Sequence, residues 1–197
     1  SCVTSSECDI RIQNNMQRIQ LYKDSILNPD LALRSGTLNL NDLPSLKKLV
    51  LNTSVSNLAQ DKKKLLYAMS SLTLVSGQRA IATKAKKSIA TFKLKEGAPI
   101  GCKVTLTGPN MFRFIEKLIW VVLPSIKDLK EFRRQQVSNK NSYSIGLRDI
   151  NLFPESKALS EKLYYKFGVD ITFSFKSSDV LSTLVLISSL GIPYKKG

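Results

Sequence analysis

Residues 78–107 (QRAIATKAKKSIATFKLKEGAPIGCKVTLT) constrain the fold more than any other part of the chain. Both ends, 80–83 and 101–107, alternate apolar and polar residues as strands do. Between and beside them lie Arg79, Lys84, Lys86, Lys87, Lys93, Lys95 and Lys103, with Glu96 as the single acid. These charges cannot cancel one another, and Gly97, Pro99 and Gly101 prevent a helix from absorbing them. The segment is expected to form two strands joined by a long basic loop, the loop ordering against a polyanion.

The rest of the chain supplies a scaffold. Residues 47–56 (KKLVLNTSVS) alternate, with Leu49, Leu51, Thr53 and Val55 on one face and Asn52 projecting from the more polar one. Residues 142–153 and 169–175 also read as strands. A helix is expected from a cap at Asp61 to Ser76, with Leu65, Met69, Leu72 and Ser76 inward and Gly77 as a left-handed C-cap. Pro109-Asn110 opens another, with Met111, Ile115, Leu118 and Val122 in one apolar row and Phe112, Ile119 and Leu123 in the next; Pro124 is expected to end it. A last helix runs from a Ser178-Asp179 cap to Leu190 and stops at Gly191. The first 30 residues read as a polar arm leading to a helix that stops at Asn28-Pro29. The economical reading is an α+β domain, a mainly antiparallel sheet with helices packed on one face, plus the long basic loop.

Composition narrows the chemistry. There are 30 Lys and Arg against 15 Asp and Glu, a net charge of 30 − 15 = +15, and no histidine in 197 residues. Without histidine there is no Ser-His-Asp triad, no Cys-His pair and no His-containing zinc site. Cys2, Cys8 and Cys102 form no C-x-x-C pair, so neither a disulfide framework nor a four-thiolate zinc site is expected, and Cys102 reads as a small core residue. The longest apolar stretches, 111–123 and 180–190, fall short of a membrane span. No second glycine precedes Lys84 or Lys87, so 77–88 is not a phosphate loop. Asp149 and Glu155 read as ordinary surface rather than as a metal-binding carboxylate pair, and Trp120 reads as core. Nucleic acid is the partner that charge patterning favours. A general polyanion or membrane-surface binder and an RNA-processing enzyme are the alternatives.

The run GQRAIATKAKKSIATFKLKEGAPIGCKVTL (77–106) resembles, almost residue for residue, the signature of the universal 5S-rRNA-binding protein family of the large ribosomal subunit. The resemblance continues through MFRFIEKLIWVVLPSIKDLKEF (111–132), NSYSIGLRDINLFPE (141–155), GVDITFSF (168–175) and LGIPYKK (190–196), and upstream through LYKDSIL (21–27) and LPSLKKLVLNTSV (43–55). It implies a non-enzymatic structural protein without cofactor or metal that helps form the central protuberance. Its partners would be 5S rRNA, large-subunit rRNA, P-site tRNA and neighbouring ribosomal proteins. By matching motif, Asn52, Gln78 and Thr105 would contact 5S rRNA, while Thr83, Lys84, Lys86, Lys87, Ser88, Phe92 and Lys93 would lie on a tRNA-facing loop. Arg79, Lys95 and Lys103 complete the expected RNA-binding set through their charge. Thr107 stands where bacterial members carry an Arg, and 137–142 replaces their glycine-rich stretch. Residues 1–20 read as an extension before a single domain at 21–197. Extension and divergence together imply an organellar ribosome, mitochondrial before plastid.

Overall fold

The computed structural model describes residues 19, 22–35, 39, 42–54, 62–92, 94–126, 141–160, 167–177 and 180–192. The chain forms two compact units. Ser1–Lys47, Thr107–Asn141 and Phe175–Gly197 contribute one; Lys48–Leu106 and Ser142–Ser174 contribute the other.

The second unit carries the body of a five-stranded sheet. Its strands are β1 (Ser45–Ser54), β2 (Ile81–Lys84), β3 (Pro99–Leu106), β4 (Ser142–Leu147) and β5 (Val169–Lys176), in the order β2-β3-β1-β5-β4. β3 runs antiparallel to both β1 and β2, and β4 to β5. Directly opposed residues share a face, so the register assigns the core side. Leu51 faces Val104, Thr53 faces Cys102, Tyr143 faces Phe173 and Ile145 faces Ile171, and all eight side chains are buried.

Helix α2 (Lys62–Ser76) lies over β3 and against α4 (Pro154–Ser160). Its buried side is Tyr67, Ala68, Ser71, Leu72 and Val75. The expected inward row is therefore correct at Leu72 and Ser76, while Leu65 and Met69 are only half-buried. Tyr67 meets Phe167 edge to face, with centroids 5.8 Å apart. Gly101 is packed under β1: a Cβ there would collide with the Thr53 carbonyl.

β4 is shorter than its sequence pattern suggests. The strand stops at Leu147 and a 3₁₀ turn follows at Ile150–Leu152. Here Ile150 and Phe153, three apart, are the buried residues, which is not a strand period. The Ile150 amide donates to the Phe167 carbonyl at 3.0 Å, and the buried Ser156 hydroxyl sits on the Ile150 carbonyl.

The other unit is helical. A π-helical turn, Lys23–Leu27, leads into α1 (Asn28–Ser35), which packs on α5 (Val180–Ser189). Helix α3 (Pro109–Lys117) runs on through a second π-turn, Leu118–Val122, to a last turn, Leu123–Ser125. Asn28-Pro29 does not stop its helix, contrary to the sequence expectation, whereas Pro124 lies in the final turn, which ends one residue later at Ser125, close to where the sequence places the end. A proline inside a helix lacks an N–H, and its ring clashes with the carbonyl four residues back. In both places the preceding turn is widened, with the Asn28 amide bonded to the Lys23 carbonyl and the Leu123 amide to the Leu118 carbonyl. This i→i−5 pairing shifts the carbonyls before the proline arrives.

Met111, Ile115, Leu118 and Val122 are buried, as their spacing predicts. Trp120 is not core: it is 75% exposed, because two residues past Leu118 the chain has turned to the opposite side of the helix. α5 ends as expected at Gly191, φ 75°. The Gly191 amide bonds the Ser188 carbonyl and the Ile192 amide the Ile187 carbonyl, the paired closure of a Schellman motif.

Candidate nucleic-acid interface

The outward face of β1, β3 and β2 follows from the same register. Asn52 stands opposite Lys103, and Lys103 opposite Ile81. One step along, Ser54, Gly101 and Thr83 form a second row; on the other side Val50 faces Thr105. Asn52, Lys103 and Thr105 are exposed. The rows therefore present an amide, an ammonium and hydroxyl groups beside Val50 and the exposed Ile81, with no carboxylate among them. Such groups can bond sugar hydroxyls, phosphate oxygens and open base edges. On β4 and β5 the outward pairs are also hydroxyl-rich, and Ser144 bonds Thr172 at 3.1 Å.

Gln78 and Arg79 lie in the tight turn between α2 and β2, both exposed. Two hydroxyls that sequence reasoning missed shape this turn. The Ser76 Oγ accepts the Gln78 amide at 3.2 Å and lies 2.6 Å from the Leu72 carbonyl. The Thr73 Oγ1 donates to the Met69 carbonyl at 2.7 Å and accepts the Ala80 amide at 3.2 Å. Gly77, at φ 68°, turns the chain as its sequence position predicts. The detectable signal was a hydroxyl residue just before a C-cap glycine, where back-bonding to the last helical turn is common. Thr53 was also missed as a positioning residue. Buried next to Asn52, its hydroxyl donates to the Gly168 carbonyl at 2.6 Å and ties β1 to the approach to β5.

The expected loop is a folded arm, not a segment left open until a partner arrives. At its base the Ala85 amide bonds the Ala98 carbonyl at 2.8 Å and the Gly97 amide bonds the Ala85 carbonyl at 3.1 Å. Nearer the tip, Ile89 and Leu94 exchange amide–carbonyl bonds at 3.0 and 3.1 Å around a 3₁₀ turn, Ala90–Phe92. Lys84 sits at an irregularity in the β2–β3 register. Lys84, Lys86, Lys87 and Lys95 are exposed. Ser88 helps close the arm, its hydroxyl donating to the Leu94 carbonyl at 3.2 Å. Phe92 ends the tip turn, and Lys93 lies outside the described residues. The site is thus two groups on one unit: a sheet face with its flanking turn, and a lysine-bearing arm.

Cys102 is fully buried beneath this face, and burial pushes its thiol up to about 11. A thiol held neutral in this way is a poor nucleophile. Among the described residues no cluster of His, Cys, Asp and Glu could hold a metal ion. No helix among them is long and apolar enough to cross a membrane.

Comparison with known proteins agrees with this geometry. Residues 39–95 match the family described as Ribosomal protein L5, and residues 99–194 match the C-terminus of the same ribosomal family. The chain is 35% identical over 181 residues to the large ribosomal subunit protein uL5m of Reclinomonas americana, covering 92% of this chain and 100% of the relative. It is 38% identical over 176 residues to uL5 of Colwellia psychrerythraea, covering 89% and 96%, and 37% identical over 176 residues to uL5 of Ureaplasma parvum, covering 89% and 94%. Two collinear matches that together span most of the molecule, on a sheet and arm suited to RNA, establish that the chain belongs to the ribosomal protein L5 family of structural, non-enzymatic proteins.

Proposed function

We propose that this protein is a structural component of the large subunit of a mitochondrial ribosome, where it holds 5S rRNA and helps build the central protuberance. Asn52, Thr105 and Lys103 on the outward sheet face, with Gln78 and Arg79 beside them, are the 5S-rRNA contacts. Lys84, Lys86, Lys87, Lys93 and Lys95 on the arm, with Thr83, Ser88 and Phe92, face P-site tRNA. Large-subunit rRNA and adjacent protuberance proteins are the further neighbours. Residues 1–20 are an extension and 21–197 the ribosomal domain.

The observation that carries the reading is the Asn52–Lys103 pair: polar, exposed, free of carboxylate and mounted on a packed sheet. Preorganised groups of this kind bind RNA with little ordering cost. The likeness to uL5m favours the mitochondrial compartment, whereas the bacterial relatives support the ribosomal role.

Direct binding of 5S rRNA by purified protein tests this. Asn52→Ala and Gln78→Ala should each weaken binding about fivefold, the effect of losing a hydrogen bond worth roughly 1 kcal/mol. Wild-type affinity in both variants would contradict these contacts. Displacement of 5S rRNA by unrelated RNA at equal concentration would instead mark a general polyanion binder.

A further inference from the structure

The arm leaves the sheet through two successive departures from regular pairing. β2 and β3 stay in register as far as Thr83 opposite Gly101. The next pair is Lys84 opposite Pro99, so Ile100 is an extra residue on β3. One step further out the Ala85 amide donates to the Ala98 carbonyl and the Gly97 amide to the Ala85 carbonyl, at 2.8 and 3.1 Å. Gly97 and Ala98 thus oppose the single residue Ala85. With Gly97 at φ 79°, this is a bulge whose first residue is a left-handed glycine. The Ala98 amide bonds the Lys95 carbonyl at 3.1 Å, closing a turn with the positive φ at its third residue, as type II turns require.

The side chains change phase across this root. Ala82 faces Cys102, on the core side of the sheet. Strict alternation would send Lys84 to that same side and Ala85 outward. Instead Lys84 is exposed and Ala85 is buried. The shift falls where the pairing breaks, and re-aiming a side chain is what a bulge does. Lys86 and Lys87 follow, both exposed.

We propose that Gly97 is the positioning residue of the arm: its bulge fixes the direction in which Lys84, Lys86 and Lys87 are offered to the phosphates of tRNA. The inference rests on the reading of the arm as tRNA-facing, and adds to it which residue aims the charge. A Cβ at Gly97 would meet nothing within 4 Å, so packing does not call for glycine there. The backbone does. Asn adopts a positive φ readily, whereas a β-branched residue is strained by it. Charge acting by number alone needs no bulge at all; charge acting from a set direction needs the root held, and a root held in advance spares its ordering cost on binding.

Because a side chain here touches nothing, Gly97→Val and Gly97→Asn differ chiefly in how they bear a positive φ, and both keep every charge. The test measures the affinity of deacylated tRNA for large subunits reconstituted with each full-length variant. Binding of 5S rRNA and hydrogen exchange of the Ala85 amide are followed on the purified variants. Gly97→Val should weaken tRNA binding about fivefold and speed Ala85 exchange by a similar factor, with 5S rRNA affinity unchanged. Gly97→Asn should stay near wild type in all three. Wild-type tRNA affinity in Gly97→Val would overturn the proposal, as would an equal loss in Gly97→Val and Gly97→Asn. Gly97→Ala imposes a milder strain and guards against a variant that fails to fold. A loss of 5S rRNA affinity in Gly97→Ala that matches its loss of tRNA affinity would overturn the proposal too, because the residue would then serve the sheet rather than the arm. The variant with Ala at 84, 86 and 87 distinguishes the failures. If tRNA binding depends on these lysines but not on Gly97, only the positioning role falls; if it depends on neither, the tRNA-facing reading of the arm falls with it.

Discussion

Thr53, Asn52 and Cys102 show how closely packing and recognition are interleaved. Asn52 is free to face a ligand because its neighbour Thr53 is committed inward, bonded to Gly168. Across the strand pair Cys102 faces Thr53 and Lys103 faces Asn52. One register step separates a buried thiol from an exposed ammonium, and a one-residue slip would exchange them. The thiol also has a consequence for stability. Its pKa is raised from 9.0 to about 11 on folding, so the unfolded chain gives up this proton first as pH rises. Its contribution is therefore fully present below pH 9 and is lost between 9 and about 11. Tyr143, pushed from 10.0 to about 12 by burial, extends the loss upward. Urea titrations at pH 8 and pH 10.5 should show lower stability at the higher pH, and Cys102→Ala should reduce the difference. An equal pH effect in that variant would mean that the thiol is not its source.

At the scale of elements, the turn after α2 is the clearest case of a helix end serving a site. Ser76 and Thr73 bond backward into the helix and forward to the Gln78 and Ala80 amides. Ser76→Ala should leave the buried Leu72 turn intact yet release Gln78. We expect about 1 kcal/mol lower stability and a reduction in 5S rRNA affinity of several-fold, though Ser76 itself touches no RNA. Chemical denaturation and 5S binding by the same variant check this; full affinity would show that the turn holds its shape without the hydroxyl.

The α3 apolar row, the strand at Asn52 and the glycine ends at Gly77 and Gly191 were legible in the sequence, because each is a local pattern of period, cap or turn. The continuation through Pro29 was not. It depends on which carbonyl an amide chooses, and both choices fit the same residues. The position of Trp120 was partly legible: the row through Leu118 and Val122 already points it outward, but the wholly apolar run 118–123 obscures which side is which. The strand order was illegible for a different reason, since β1 lies between β3, about fifty positions on, and β5, more than a hundred positions on.

For the whole molecule the question is how an excess of +15 charges is distributed. The sheet face contributes few of them and many neutral donors and acceptors; the arm contributes mostly charge. The two should respond differently to ionic strength. Replacing Lys84, Lys86 and Lys87 with Ala should reduce attachment to ribosomal particles or tRNA more than binding to isolated 5S rRNA. The slope of log affinity against log salt should fall by roughly 0.7–0.9 for each phosphate that the arm no longer neutralises. Unchanged slopes in the triple variant would remove the electrostatic role of the arm. Asn52→Ala should lower affinity with the slope intact.

The closure of the arm, made of amide–carbonyl bonds between Ala85 and Ala98 and between Ile89 and Leu94, uses no lysine ammonium. Outline and attraction are thus independent properties of the same segment. A cell that acetylated Lys86 or Lys87 would dim the pull toward a polyanion while leaving the finger standing.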